Sequence, residues 1–177
     1  MKNNIILIGM PGVGKSSVGV VLAKAMGYGF IDSDLVIQKA EGRLLKDIIA
    51  KEGHDGFLRI ENRINAGITA ERSVIATGGS AVYGREAMEH LTDIGIVVYL
   101  RASYETVSAR LSNLEGRGVA MKEGQSLLDL YNERIPLYEH WGEIAVGLDG
   151  LSIEQAVREI AARLADFLPE DSHNATN

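Results

Sequence analysis

Short apolar runs alternate with amphipathic stretches along the whole chain. Ile5-Ile6-Leu7-Ile8 is the first run, and it predicts a short strand buried on both faces. Runs of the same kind stand at Tyr28–Ile31, Ser73–Ala76, Gly95–Leu100 and Ile144–Val146. Between them, apolar residues recur at helical spacing. Ser16–Met26 is predicted as a helix closed by Gly27, and Val36–Lys39 as one capped by Ser33 or Asp34 and ending near Gly42. Leu44, Leu45, Ile48 and Ile49 make a helical segment closed by Gly53, and Phe57, Ile60, Ile64 and Ile68 a longer helix over roughly 55–70. Further helices are predicted at Glu86–Leu91, from a Ser103 cap to Leu111, at Leu127–Tyr138 and at Ile153–Phe167, with Pro136 expected to end or kink the third of these.

Strands alternating with helices predict an α/β fold, a parallel sheet covered on both faces. Residues 1–168 read as a single domain, and 169–177, with one Ala as their sole apolar residue, as a disordered tail. In such a sheet, ligands collect outside the carboxyl ends of the strands. Three polar segments fall there: Gly9–Ser16, Asp32-Ser33-Asp34 and Thr77-Gly78-Gly79.

The first of these is the most specific. Gly9-Met10-Pro11-Gly12-Val13-Gly14-Lys15-Ser16 fits the spacing of a phosphate-binding loop, with a strand before it and a helix after. Gly12 and Gly14 let the backbone adopt positive φ and come close to an anion. Amides from Gly12, Val13, Gly14, Lys15, Ser16 and Ser17 would then face the phosphates at a helix amino terminus. Lys15 would reach the β- and γ-phosphates and the Ser16 hydroxyl a Mg²⁺ ion. The sequence therefore predicts nucleoside triphosphate binding.

Composition narrows the partners. A net charge of −6 lacks the basic footprint of a nucleic-acid binder, and no apolar run approaches a membrane span. The chain has no cysteine, so disulfides and thiolate metal sites are excluded; a cytoplasmic location without a signal peptide is expected. His54, His90, His140 and His173 show no metal-ligand spacing.

Phosphoryl transfer needs fixed phosphates, a metal, positive charge and a group that orients the acceptor hydroxyl. Asp32 suits the metal as a hard carboxylate ligand, and Asp34, two residues on, can accept a hydrogen bond from an attacking hydroxyl. Arg110, Arg117 and Arg134 are candidates for the positive clamp. Arg117 is flanked by glycines in Asn113–Val119, the candidate for a mobile lid over about 113–125.

On Gly9–Ser17, Asp32-Ser33-Asp34, Thr77-Gly78-Gly79, Arg110 with Arg117, and Arg134-x-Pro-Leu-Tyr, the chain resembles the shikimate kinase family. The resemblance implies a P-loop NTPase-type three-layer fold with a five-stranded parallel sheet, and an acceptor-binding helical region over about 33–70. It implies ATP with Mg²⁺ as cofactors and shikimate as the acceptor of the γ-phosphoryl; a monomer is expected. Asp34 would be the base, Arg117 the lid arginine, Arg110 the neighbour of adenine and Arg134 the ligand of the acceptor's carboxylate, with Gly78 and Gly79 lining the acceptor pocket. The chain also departs from the family. Leu58 stands where an arginine is usual, leaving Arg59, turned by about 100°, as the substitute ligand of the carboxylate. Ser80 replaces a third glycine, Gly118 a lid proline and His140 a glutamate. These departures keep open a same-fold kinase of another polyol or sugar acid such as gluconate, and a nucleotide-binding regulator without transfer activity.

Overall fold

The computed structural model describes residues 2–112 and 119–167. In chain order these form β1 (Asn4–Ile8), α1 (Lys15–Met26), β2 (Gly29–Asp32), α2 (Ser33–Glu41), α3 (Leu45–Asn65), β3 (Ser73–Ala76), α4 (Arg85–Ile94), β4 (Gly95–Arg101), α5 (Tyr104–Ser112), α6 (Leu127–Trp141), β5 (Ile144–Gly147) and α7 (Ile153–Leu164). The five strands make one sheet in the order β2-β3-β1-β4-β5, every pairing parallel. Every residue of β1 and β3 is buried, as is β4 up to Leu100. Side chains of a strand alternate between faces, so burial at every position means that helices cover both sides. The edge strand β5 shows the contrast, with Ala145 and Gly147 exposed. The α/β fold with a five-stranded parallel sheet is therefore as expected.

Strand order decides where the chemistry can sit. β1 is central, paired with β3 from Ile5–Val74 to Leu7–Ala76 and with β4 from Asn4–Gly95 to Ile8–Tyr99. The turns leaving β1, β2 and β3 thus emerge side by side at one edge.

Local chemistry explains where the elements differ from the hydrophobic pattern. Asp32, not Ser33 or Asp34, caps α2; its carboxylate accepts from the Asp34 amide. Gly53 closes the segment begun at Leu45, as expected: at φ 70 and ψ 180 it is non-helical and divides α3 into two helical pieces across a kink. That helix stops at Asn65 rather than near residue 70. Pro136 lies inside α6, which continues to Trp141. The carbonyl it leaves unbonded is that of Asn132; both residues are exposed, so water can satisfy it. α7 ends at Leu164, short of Phe167, and begins with a capping box between Ser152 and Gln155. The expected tail at 169–177, and residues 113–118 of the expected lid with Arg117, lie outside the described residues. No described helix is long and apolar enough to cross a membrane.

Candidate active site

The loop between β1 and α1 is bent by glycines, with Gly12 at φ 76 and Gly14 at φ 107. The opening amides of α1 thereby face a cleft of about 970 Å³. Lys15 is buried, and its ammonium donates to the Gly9 and Met10 carbonyl oxygens at 2.7 and 2.8 Å. Burial pulls its pKa down to about 8, with Arg134 adding to the fall and Asp34 opposing it most. The side chain is thus held against its own loop at the place where phosphate oxygens would meet it.

Ser16, at the exposed mouth, donates its hydroxyl proton to Asp32 Oδ2 at 2.8 Å. The two residues expected to serve a magnesium ion are therefore neighbours. Hard oxygens from one hydroxyl and one carboxylate suit an ion that keeps several waters and takes its remaining ligands from phosphates. Asp32 Oδ1 accepts from the Asp34 amide at 3.0 Å, which fixes Asp34 in the first turn of α2. Arg110 lies over the phosphate loop, donating to the Val13 carbonyl at 2.6 Å.

Beside the phosphate loop, the turn after β3 is held by its neighbours. Thr77 donates both its amide and its hydroxyl to the Leu7 carbonyl of β1. The Gly78 amide donates to Ser33 Oγ at 3.1 Å, and the Gly79 carbonyl accepts from the Tyr138 hydroxyl at 2.6 Å. A Cβ on Gly79 would meet Pro11 and Arg134 at 2.7 to 3.0 Å, so no side chain fits there. Arg134 is only 1% exposed; it donates to the Ala120 carbonyl at 2.7 Å and stands 5.3 Å over the Tyr83 ring.

The structure gathers Gly12, Val13, Gly14, Lys15, Ser16, Ser17, Asp32, Asp34, Gly78, Gly79, Arg110 and Arg134 around this one cleft. Arg59 is not brought there. Phe57 and Glu61, one helical turn apart on α3, face the cleft, whereas Arg59 lies about 200° round from Phe57 and is exposed. Leu58 packs instead with the apolar cluster of Ile37, Ile48, Phe57 and Ala120. A smaller depression of about 520 Å³ beside β5 contains none of these groups.

Glu61 is the residue the sequence reading did not assign. It is 1% exposed, and its Oε2 accepts from the Ser80 hydroxyl at 2.5 Å. Burial pushes its pKa up to about 7; Asp34 adds to the rise, while the Ser80 bond and Arg134 oppose it. The available signal was an acid one turn from Phe57, on the face of α3 that carries its buried apolar residues. With a folded pKa near 7 and an unfolded one near 4.5, its contribution to stability is complete below pH 4.5 and lost as the pH rises through 7. Glu61→Gln removes that slope. Between those limits the variant should gain about 3 kcal/mol on the parent, read from denaturant unfolding at a series of pH values.

Comparison with known proteins agrees with this geometry. A match to the family described as shikimate kinase covers residues 11–165. A shikimate kinase of Thermodesulfovibrio yellowstonii is 38% identical over 160 residues, covering 89% of this chain and 92% of the relative. The chain belongs to the shikimate kinase family. As a member of that family it is an ATP-dependent phosphotransferase acting on a hydroxyl group. A shikimate kinase from Acinetobacter baumannii, solved in complex with shikimate, superposes with a TM-score of 0.84 at 31% identity, over 96% of this chain and 97% of that one. A gluconokinase from Sinorhizobium meliloti superposes less well, with a TM-score of 0.57 at 26% identity, each chain covered to 93%.

Proposed function

We propose that this protein transfers the γ-phosphoryl of ATP to a hydroxyl of shikimate. The observation that carries the reading is the position of Asp34: it lines one cleft together with Lys15, the phosphate loop, Gly78, Gly79 and Arg134. Lys15 exchanges the Gly9 and Met10 carbonyls for phosphate oxygens, and the loop amides hold the triphosphate. Asp34 orients the acceptor hydroxyl and takes its proton as the oxygen attacks the γ-phosphorus; the bond from that phosphorus to the bridging oxygen breaks and ADP leaves. Arg134 faces the acceptor's carboxylate. Ser16 and Asp32 would hold Mg²⁺, which would supply positive charge to the phosphates. Arg117 is assigned to the γ-phosphate on the family resemblance.

ADP release with shikimate, gluconate and related hydroxy acids as acceptors tests the reading. Turnover should be strongest with shikimate and should stop when EDTA removes magnesium. The gluconate alternative rests on Leu58, which leaves no arginine at its position on α3. Leu58→Arg should lower the KM for shikimate if the apolar residue weakens the grip on a carboxylate. A preference for gluconate would sink the shikimate reading, and ATP binding with no ADP from any acceptor would favour a regulator.

A further inference from the structure

The guanidinium of Arg134 is gripped from behind the cleft. Among the described residues the buried cations are Lys15, at the phosphate loop, and Arg134. Arg134 Nη2 donates to the Ala120 carbonyl, and its buried Nε has no hydrogen-bond partner among the described residues. Tyr83 closes the short 3₁₀ turn Ala81–Tyr83, which continues the turn after β3. The guanidinium carbon of Arg134 stands 5.3 Å from the centre of its ring. The Tyr83 hydroxyl donates at 2.5 Å to Glu133 Oε1, on the residue just before Arg134 in α6. Glu133 also accepts from Lys122 Nζ at 3.2 Å and from Gln125 Nε2 at 3.1 Å. Two successive residues of α6 thus hold Ala120, Lys122 and Gln125, and one tyrosine touches both. Arg134 lines the cleft and Tyr83 does not, so the ring can reach an acceptor only through the guanidinium.

We propose that Tyr83 is a positioning residue for acceptor binding, aiming the Arg134 guanidinium at the acceptor's carboxylate. This rests on the acceptor reading given above and deepens it. A planar guanidinium makes two parallel bonds to a carboxylate only in a narrow range of orientations. A side chain that must first be ordered gives up affinity, so one already held binds more tightly. The face of the Tyr83 ring attracts the cation and limits its swing. The bond to Glu133 in turn fixes the ring against α6. Burial pushes the pKa of the Tyr83 hydroxyl up and Glu133 adds to the rise, so the group stays a donor. With Leu58 on α3, no second arginine at that position shares the work, and acceptor affinity leans on how well Arg134 is held.

The test is steady-state kinetics on the parent, Tyr83→Leu and Tyr83→Phe with shikimate, and with its carboxamide as substrate or competitive inhibitor. Tyr83→Leu should raise the KM for shikimate about tenfold, with kcat and the KM for ATP within about twofold of the parent's. Tyr83→Phe keeps the ring and loses the bond to Glu133, so it should raise that KM about threefold; it also keeps the test open if the leucine variant does not fold. The carboxamide lacks the charge that Arg134 would meet. The parent should bind it more weakly than shikimate, and the substitutions should weaken it no further. The proposal is overturned if both variants keep the parent's KM for shikimate, if they lose as much on the carboxamide, or if the KM for ATP rises alongside. Failure of the underlying reading looks different: the parent then releases no ADP with shikimate, and both conclusions fall together.

Discussion

Lys15→Met is expected to lower kcat/KM for ATP by about 10³-fold, read as ADP release over a range of ATP concentrations. The ammonium is the positive group that the fold has buried at the phosphate loop, where low dielectric strengthens its pull on an anion. Burial pulls its pKa down to about 8, which disfavours the charge. Triphosphate oxygens would restore the balance, so the binding energy of ATP is spent partly on stabilising that ammonium. For the same reason the substitution should cost little folding stability, which separates a lost catalytic group from a damaged fold. An unchanged ATP affinity and turnover would mean that the loop does not hold the nucleotide.

Asp34→Asn is expected to lower kcat by about 10²- to 10⁴-fold, with ATP affinity retained. The amide keeps the shape of the carboxylate but cannot take a proton from the acceptor hydroxyl. Asp34 is placed by its own amide bond to Asp32 and lines the cleft beside Gly78, so on the proposed reading the substitution acts at the reacting centre and leaves the loop alone. Single-turnover measurements with saturating ATP and acceptor isolate the chemical step. A kcat within tenfold of the parent would remove Asp34 from its proposed role as base.

The nucleotide half of the cleft is legible in the sequence because it is built from contiguous main chain. Gly12, Gly14, Lys15 and Ser16 specify their geometry by local backbone preference, and the apolar run of β1 sets the loop at the sheet's edge. The acceptor half is assembled across distant segments, and there the pattern gives less. Helical periodicity placed Phe57 on the buried face of α3 but said nothing of the bond between Glu61 and Ser80, nineteen positions apart. Arg59 was the nearest cation to the unusual Leu58, yet helical pitch turns it to solvent. Gly53 breaks the helical backbone as the pattern suggests, whereas Pro136 does not end α6 because it sits on an exposed face where water can satisfy the freed carbonyl. The Asp32 cap replaced the expected Ser33 or Asp34 because the carboxylate serves the helix and Ser16 together.

The Leu7 carbonyl receives both donors of Thr77, which fastens the acceptor turn to the strand that carries the phosphate loop. On the proposed reading, the gap the phosphoryl group must cross is therefore gauged largely by main chain within the sheet, a rigid ruler. A lineage wanting a new acceptor has little freedom to move the two halves apart. It must retool the lining, and positions such as Leu58 and Ser80 are where such tinkering would be recorded.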